Sequence, residues 1–181
     1  MDQAPGALSL PLTSPDEREA ALHTRLREFG IAWTTHVHAP VFTVAQAAHL
    51  YASQPGGHTK NLFLKDKKSG LWLVVARDEL KIDLNELAKA LGAPRFSFGS
   101  AELLFEVLGV TPGSVTPFAA INDRDGRVTV VLQQAMLASD PLNYHPLRND
   151  RTTAISPGDL VRFLDACGHA ARIVDIPSRI G

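Results

Sequence analysis

Lys60 and Asn61 stand where a strand is predicted to enter the core, directly before the apolar run 62–64. A lysine in such a position must reach water, find an anion or lose its charge, because an unpaired ammonium is costly to bury. Asn61 adds two hydrogen-bond donors and an acceptor. The pair indicates an anion-binding site, although a lysine that only extends to solvent and an asparagine that caps the preceding loop fit the same pattern.

Two further groups carry polar chemistry. The first is a loop made of Gly113, Ser114, Val115, Thr116 and Pro117. Gly113 permits unusual φ angles and Pro117 stiffens the exit, so this loop either presents backbone N–H and C=O groups to a ligand or is an ordinary turn. The second group is His145, which either takes part in a site or caps the turn before Pro146.

Composition argues against several classes of protein. No glycine-rich nucleotide motif is present, and neither the seven histidines nor Cys167 shows zinc-ligand spacing, so no metal and no cofactor is expected. The single cysteine excludes an internal disulfide, and no signal peptide or long apolar run is present, which predicts a cytoplasmic protein with no membrane partner. The net charge of −1 gives no global attraction for nucleic acid, and DNA is not expected as a partner.

Capping and turn signals predict the elements that position these residues. Helices are expected after residues 14, 43, 83, 100 and 156. Strands 59–66 and 71–77 should form a hairpin, as should 118–121 and 127–133, and the first half of 71–77 is apolar enough to be covered on both faces. Helices alternate with these hairpins, which predicts an α+β fold with a mixed, largely antiparallel central sheet flanked by helices.

The remaining strands are expected at 31–38, 95–98, 142–149, 152–155 and 171–176. The signals predict one domain at residues 14–176, between a flexible N-terminal tail (1–13) and a C-terminal tail (177–181).

Three elements, in order, resemble the YbaK/prolyl-tRNA-synthetase-associated editing domains: Lys60-Asn61, the loop 113–117, and His145 within Asn143-Tyr144-His145-Pro146-Leu147. Three segments look like one branch of that family, namely His38-Ala39-Pro40-Val41-Phe42-Thr43-Val44, Lys60-Asn61-Leu62-Phe63-Leu64-Lys65-Asp66 and Gly113-Ser114-Val115-Thr116-Pro117. The likeness is greatest to the free-standing ProX (PrdX) type and covers nearly the whole chain. It implies a deacylase, a hydrolase of carboxylic esters, that edits in trans by converting mischarged Ala-tRNA(Pro) to alanine and free tRNA(Pro).

The resemblance also implies roles for the residues above. Lys60 would hold a phosphate of the terminal nucleotides, Asn61 the α-amino group or a water, and N–H groups of the loop that begins at Gly113 the ester oxygen. His145 would orient a water, bind the amino group or contact RNA, while the ribose hydroxyl of the substrate helps to activate the water. Candidates for contacts with the acceptor stem are Lys65, Lys67, Lys68, Arg77 and Lys81.

Other functions fit the same residues. A Cys-tRNA(Pro) deacylase of this family is one, although Asn61 stands where a threonine would be expected in that branch, which favours alanine. A non-catalytic tRNA-binding module, or a module that associates with prolyl-tRNA synthetase, is another, because fold alone does not determine function. Aminoacylated tRNA(Pro) is the expected partner, with the synthetase as a transient one.

Overall fold

The computed structural model describes residues 14–179, and this part of the chain contains five α-helices. They are α1 (Pro15–Glu28), α2 (Val44–Ser53), α3 (Leu84–Leu91), α4 (Ala101–Leu108) and α5 (Pro157–Ala166). Each begins at the predicted capping residue, whose side chain accepts a hydrogen bond from an N–H of the first turn. Ser14 and Thr43 form complete capping boxes with Glu17 and Gln46.

Eight strands form one mixed sheet. They are β1 (Thr34–Val37), β2 (Gly57–Asp66), β3 (Leu71–Arg77), β4 (Phe96–Phe98), β5 (Val128–Gln133), β6 (Leu142–Tyr144), β7 (Arg151–Ile155) and β8 (Arg172–Val174). Their order is β1-β7-β6-β2-β3-β5-β8, and β4 pairs with the far end of β2. Four of these pairings are antiparallel and three are parallel, which confirms the predicted fold class.

The central position of β3 is also confirmed. Its side chains alternate between two apolar clusters, with Leu73 and Val75 in a larger cluster that includes residues of α1, α4 and α5. Val74 and Ala76 belong to a smaller cluster with residues of α3. Because the strand is buried on both faces, it reads as a continuous apolar run in the sequence.

The predicted hairpin of 118–121 with 127–133 is wrong. The first segment is a 3-10 helix, Pro117–Asn122, which begins at Thr116 because that hydroxyl accepts from the Phe118 N–H and Pro117 has a helix-compatible φ. The turn that follows is held by Asp123, whose carboxylate accepts from the amides of Arg127 and Val128.

Two predicted strands are shorter in the structure. The first strand starts at Thr34 instead of residue 31. The reason is that the Ile31 N–H donates to the Leu26 carbonyl and so belongs to the C-terminal end of α1. The strand predicted at 142–149 ends at Tyr144, where the chain turns through Leu147, which has a φ of 67°. This turn places His145 outside the ladder, beside the end of β6.

The predicted tail of residues 1–13 lies outside the described residues. At the other end, Ser178 forms an isolated bridge with Ile82, and the Arg179 N–H donates to the Lys81 carbonyl. No helix within residues 14–179 is long and apolar enough to cross a membrane.

Candidate functional site

A small cleft opens where β2 and β6 separate. These strands pair in parallel at only two positions, Gly57 with Leu142 and His58 with Asn143. The cleft beyond this junction has a volume of about 50 Å³. The side chains around it come from β2, β6, β7 and the region of α2: Val41, Leu50, Tyr51, His58, Thr59, Asn61, Asn143, Tyr144, His145 and Thr152. The cleft contains both apolar and polar groups, as small-molecule sites do.

Asn143 fixes the junction of the two strands. Its buried Nδ2 donates to the carbonyls of Pro55 and Gly57, each at 3.1 Å, and its own carbonyl accepts from Thr59 Oγ1 at 3.0 Å. Sequence reasoning did not select Asn143 or Thr59. The available signal was a polar residue between two apolar ones in a short strand, because a buried amide must find partners.

Asn61 lines the cleft and has a side-chain oxygen without a hydrogen-bond partner. Its Oδ1 is buried and has no hydrogen-bond partner. Leaving such a group unpaired costs on the order of 1–3 kcal/mol, so the position is suited to a ligand that donates a hydrogen bond. The structure therefore places Asn61, one of the predicted site residues, where it can contact a bound ligand.

His145 also lines the cleft, and its hydrogen bond defines one tautomer. Its Nδ1 donates to the Arg151 carbonyl at 2.9 Å, because a carbonyl oxygen can only accept. Burial lowers the pKa of His145 below its ordinary value, and the bond to Arg151 opposes this only in part. The ring is therefore neutral at pH 7, with Nε2 as its unprotonated nitrogen.

The segment that carries His145 is tied to α1 by ion pairs. Arg148 forms a two-pronged contact with Asp150 and also reaches Asp16, while Arg151 pairs with the buried Glu19. The Arg148 guanidinium holds the pKa of Asp150 below its usual range. These contacts fix the turn after β6 and hence the position of the imidazole.

The remaining wall is formed by α2 and its preceding segment. The rings of Tyr51 and His58 stack at 3.9 Å between centroids, and His58 Nε2 donates to the Gln54 carbonyl at 3.0 Å. Burial, and secondarily the charge of Asp78, raises the pKa of Tyr51. Leu50 and Val41 add apolar surface to the same wall.

Lys60 does not line the cleft. It is half-buried and lies between Thr59 and Asn61, which do line it, and successive side chains of a strand point to opposite faces. Its cross-strand partner is Ala76, a member of the smaller apolar cluster. The predicted anion site at Lys60 and the cleft at Asn61 are therefore on opposite sides of β2.

The loop at 113–117 also lies outside the cleft lining. Its last four residues are largely buried: Ser114, Val115, Thr116 and Pro117. The Ser114 N–H is already used, since it donates to the Thr111 carbonyl. Gly113 is exposed with a φ of 91°, and a side chain there would approach Asn149 Nδ2 at 3.7 Å. The loop thus borders the segment that carries His145 without joining the cleft.

The five basic residues predicted for RNA contacts fall into two groups. Lys65, Lys67 and Lys68 are exposed near the β2–β3 turn, far from the cleft end of β2. Arg77 lies opposite Thr59 with its Nε buried and unpaired, and Lys81 is exposed shortly after it. The structure therefore does not bring these five side chains into one patch.

In the part of the chain that the structure describes, no three His, Cys, Asp or Glu side chains come together as a metal site would require. The rings of His38 and His145 are 6.4 Å apart. His38 uses both nitrogens, one with the Ala39 carbonyl and one with Thr152 Oγ1.

Comparisons with known proteins give a consistent picture. Residues 38–163 match the family model described as the aminoacyl-tRNA editing domain. The chain is 36% identical over 163 residues to "Prolyl-tRNA synthetase associated domain-containing protein 1" of Danio rerio, with 89% of each chain covered. It is 32% identical over 162 residues to "Prolyl-tRNA editing protein ProX" of Acetoanaerobium sticklandii, covering 89% of this chain and 98% of that one.

Solved structures share the fold. The crystal structure of a proposed trans-editing enzyme for prolyl tRNA synthetase superimposes with a TM-score of 0.71 at 17% identity, covering 92% of this chain and 99% of that chain.

Proposed function

Because the chain belongs to the aminoacyl-tRNA editing domain family, we propose that it is a trans-acting deacylase that hydrolyses mischarged Ala-tRNA(Pro). In this reaction the oxygen of a water adds to the ester carbonyl carbon. The bond from that carbon to the ribose 3′ oxygen then breaks, and the oxygen leaves with a proton. The products are alanine and tRNA(Pro) with a free 3′ hydroxyl. Prolyl-tRNA synthetase is a transient partner in this proposal.

The observation that carries the proposal is the size and polarity of the cleft. A cavity of 10–15 Å³ holds about one water, so one of about 50 Å³ suits a group as small as an alanyl ester. A pocket sized for proline in a synthetase admits smaller amino acids, and a second, smaller sieve removes them. The Asn61 oxygen without a partner supplies an acceptor for the substrate's ammonium group.

His145 has a supporting role in the proposed mechanism. Its neutral Nε2 can accept a hydrogen bond from a water or from the terminal ribose, which orients the nucleophile. The ribose hydroxyl next to the ester helps to remove the proton from that water. Lys60 anchors a phosphate on its own face of β2, and the loop that begins at Gly113 borders the segment that carries His145.

A deacylation panel tests the proposal. Purified protein is incubated with Ala-, Cys-, Ser- and Pro-tRNA(Pro), and free amino acid is measured over time against a protein-free control. We expect rapid release of alanine and intact Pro-tRNA(Pro). Faster release of cysteine than of alanine would assign the protein to the neighbouring specificity. Binding of tRNA without release of any amino acid would contradict the enzymatic function.

A further inference from the structure

Within residues 14–179, one edge of β2 has no partner strand beside the cleft. In the pairing with β3, even-numbered residues exchange hydrogen bonds, since the Asp78 N–H donates to His58 and the Asp66 N–H donates to Gly70. Odd-numbered residues must then point their N–H and C=O groups to the opposite edge. The bond from the Gly99 N–H to the Phe63 carbonyl, on the β4 side, agrees with this alternation.

This second edge is covered at both ends but not in the middle. Pairing with β6 ends at His58, and the contact with β4 begins at Phe63. Among the described residues no strand pairs with the edge between them. Because of the alternation, both the N–H and the C=O of Asn61 point away from β3 and into the unpaired stretch of this edge. Asn61 also lines the cleft.

We infer that the peptide groups of Asn61 bind the aminoacyl group of the substrate as if it were one residue of an added strand. The inference rests on the proposed function and extends it. An alanyl ester has an ammonium N–H and a carbonyl on either side of one Cα, as a strand residue does. It can therefore form the two-bond pair of an antiparallel ladder, with its ammonium donating to the Asn61 C=O and its ester carbonyl accepting from the Asn61 N–H.

The same geometry assigns a catalytic task to the main chain. When water adds to the ester carbonyl, negative charge develops on the oxygen that the Asn61 N–H contacts, and a fixed donor stabilises it. The Ser114 N–H already donates to the Thr111 carbonyl within its own turn. The Asn61 N–H, in contrast, belongs to a residue that lines the cleft. The Asn61 side chain would lie on the same face as the methyl group of the substrate, since paired residues share a face. The ammonium group has three N–H donors, so one can reach the Asn61 side-chain oxygen while another donates to the main-chain carbonyl.

Three variants separate the main chain from the side chain. Asn61→Ala keeps the N–H and removes the side chain, and should lower kcat/KM about tenfold. Asn61→Pro removes the N–H as well and should lower kcat by a further 10²–10³-fold. It should still fold, because proline is tolerated where no ladder bond is lost. Leu62→Pro is the matched control, because its N–H faces β3, and it should unfold the hairpin.

The outcomes are distinct. Equal activity of Asn61→Pro and Asn61→Ala, with an active wild type, would overturn the inference and leave the proposed function intact. Unfolding of Asn61→Pro to the same extent as Leu62→Pro would show that this N–H belongs to the ladder, which also overturns the inference.

A stable analogue gives a readout that does not depend on hydrolysis. In 3′-alanylamino-3′-deoxyadenosine an amide replaces the ester, and binding can be followed by NMR of the labelled wild-type protein. We expect the Asn61 amide proton to shift and its exchange with solvent to slow about tenfold. Shifts at Thr59 and His145 with an unchanged Asn61 amide would overturn the inference. If the wild type releases no amino acid but the analogue protects Asn61, the proposed function fails and the inference stands as a binding mode.

Discussion

Lys60 and Asn61 are neighbours in the sequence, but their side chains leave β2 on opposite faces. The sequence placed both at a strand entrance, but they are the fourth and fifth residues of β2, which begins at Gly57. It could not indicate which of them faces a cleft, because that depends on β6, more than 80 residues later. The cleft residues Asn143 and Thr152 were missed for the same reason, since which side of β6 and β7 borders a cleft also depends on strands distant in the sequence.

The placement of Lys60 predicts an effect on binding more than on chemistry. Lys60→Ala should raise KM for alanyl-tRNA about tenfold and leave kcat nearly unchanged, because a phosphate contact is lost away from the ester. Alanyl-adenosine, which lacks phosphates, should show no difference between variant and wild type. Lys89→Ala is the control, since this exposed lysine pairs only with the nearby Glu86 on α3. A lower kcat with an unchanged KM would show that Lys60 acts in the chemical step.

The lowered pKa of His145 predicts that the deacylation rate depends on pH. The folded-state pKa of His145 is below the ordinary value of 6.5, so the ring is predominantly neutral above that pH and the neutral form is lost as the pH falls through the lowered pKa. The enzymatic rate, corrected for spontaneous hydrolysis, should therefore hold down to about pH 6.5 and decline in more acidic buffer. The same decline in His145→Asn would contradict this assignment.

At the scale of elements, the β2–β3 hairpin is organised by one carboxylate. Asp66 accepts from the amides of Lys68 and Gly70 and from Trp72 Nε1 at 3.0 Å. Burial alone would raise the pKa of Asp66, but these three donors outweigh it and the pKa is lowered. The turn is therefore tightened by a side chain of the strand that precedes it.

Asp66→Ala should lower the free energy of unfolding by about 1–3 kcal/mol, because it removes the acceptor of three part-buried hydrogen bonds. Urea unfolding followed by tryptophan fluorescence measures this. Asp66→Asn, which retains one acceptor oxygen, should lose less than the alanine variant. Equal losses in the two variants would contradict the role of the hydrogen bonds.

Elements with local signals were predicted well, and elements that depend on distant partners were not. The five helices begin at their predicted caps because a cap is a contact within four residues. The segment 118–121 was mistaken for a strand because its apolar residues fit either structure. Thr116 and Pro117, which start the 3-10 helix, were read as a ligand loop instead.

At the scale of the whole molecule, the β2–β3 hairpin and the residues just after it carry a local excess of positive charge. Residues 60–81 hold an excess of three positive charges in a chain of net charge −1. Lys65 is four residues from Asn61, about 13 Å along the strand, so the basic turn lies beyond the cleft in the direction that the body of a bound tRNA could follow.

This distribution predicts a modest salt dependence for tRNA binding. With about three phosphates neutralised, a plot of log K against log salt should have a slope of about −2 to −3. Binding measured between 50 and 200 mM salt tests this. Replacing Lys65, Lys67 and Lys68 together by Gln should flatten the slope, and the same change at Lys89 should not. A much steeper slope would require a basic surface elsewhere.

The alternation along β2 also limits how this chain can evolve. One residue gained or lost between Gly57 and Leu64 would exchange the two faces of the strand, bringing Lys60 to the cleft and turning Asn61 towards the apolar residues packed on α3. Substitutions in this stretch alter one contact, whereas a change of length alters every contact at once. We therefore expect a working editing domain to tolerate new residue types here but no insertion or deletion.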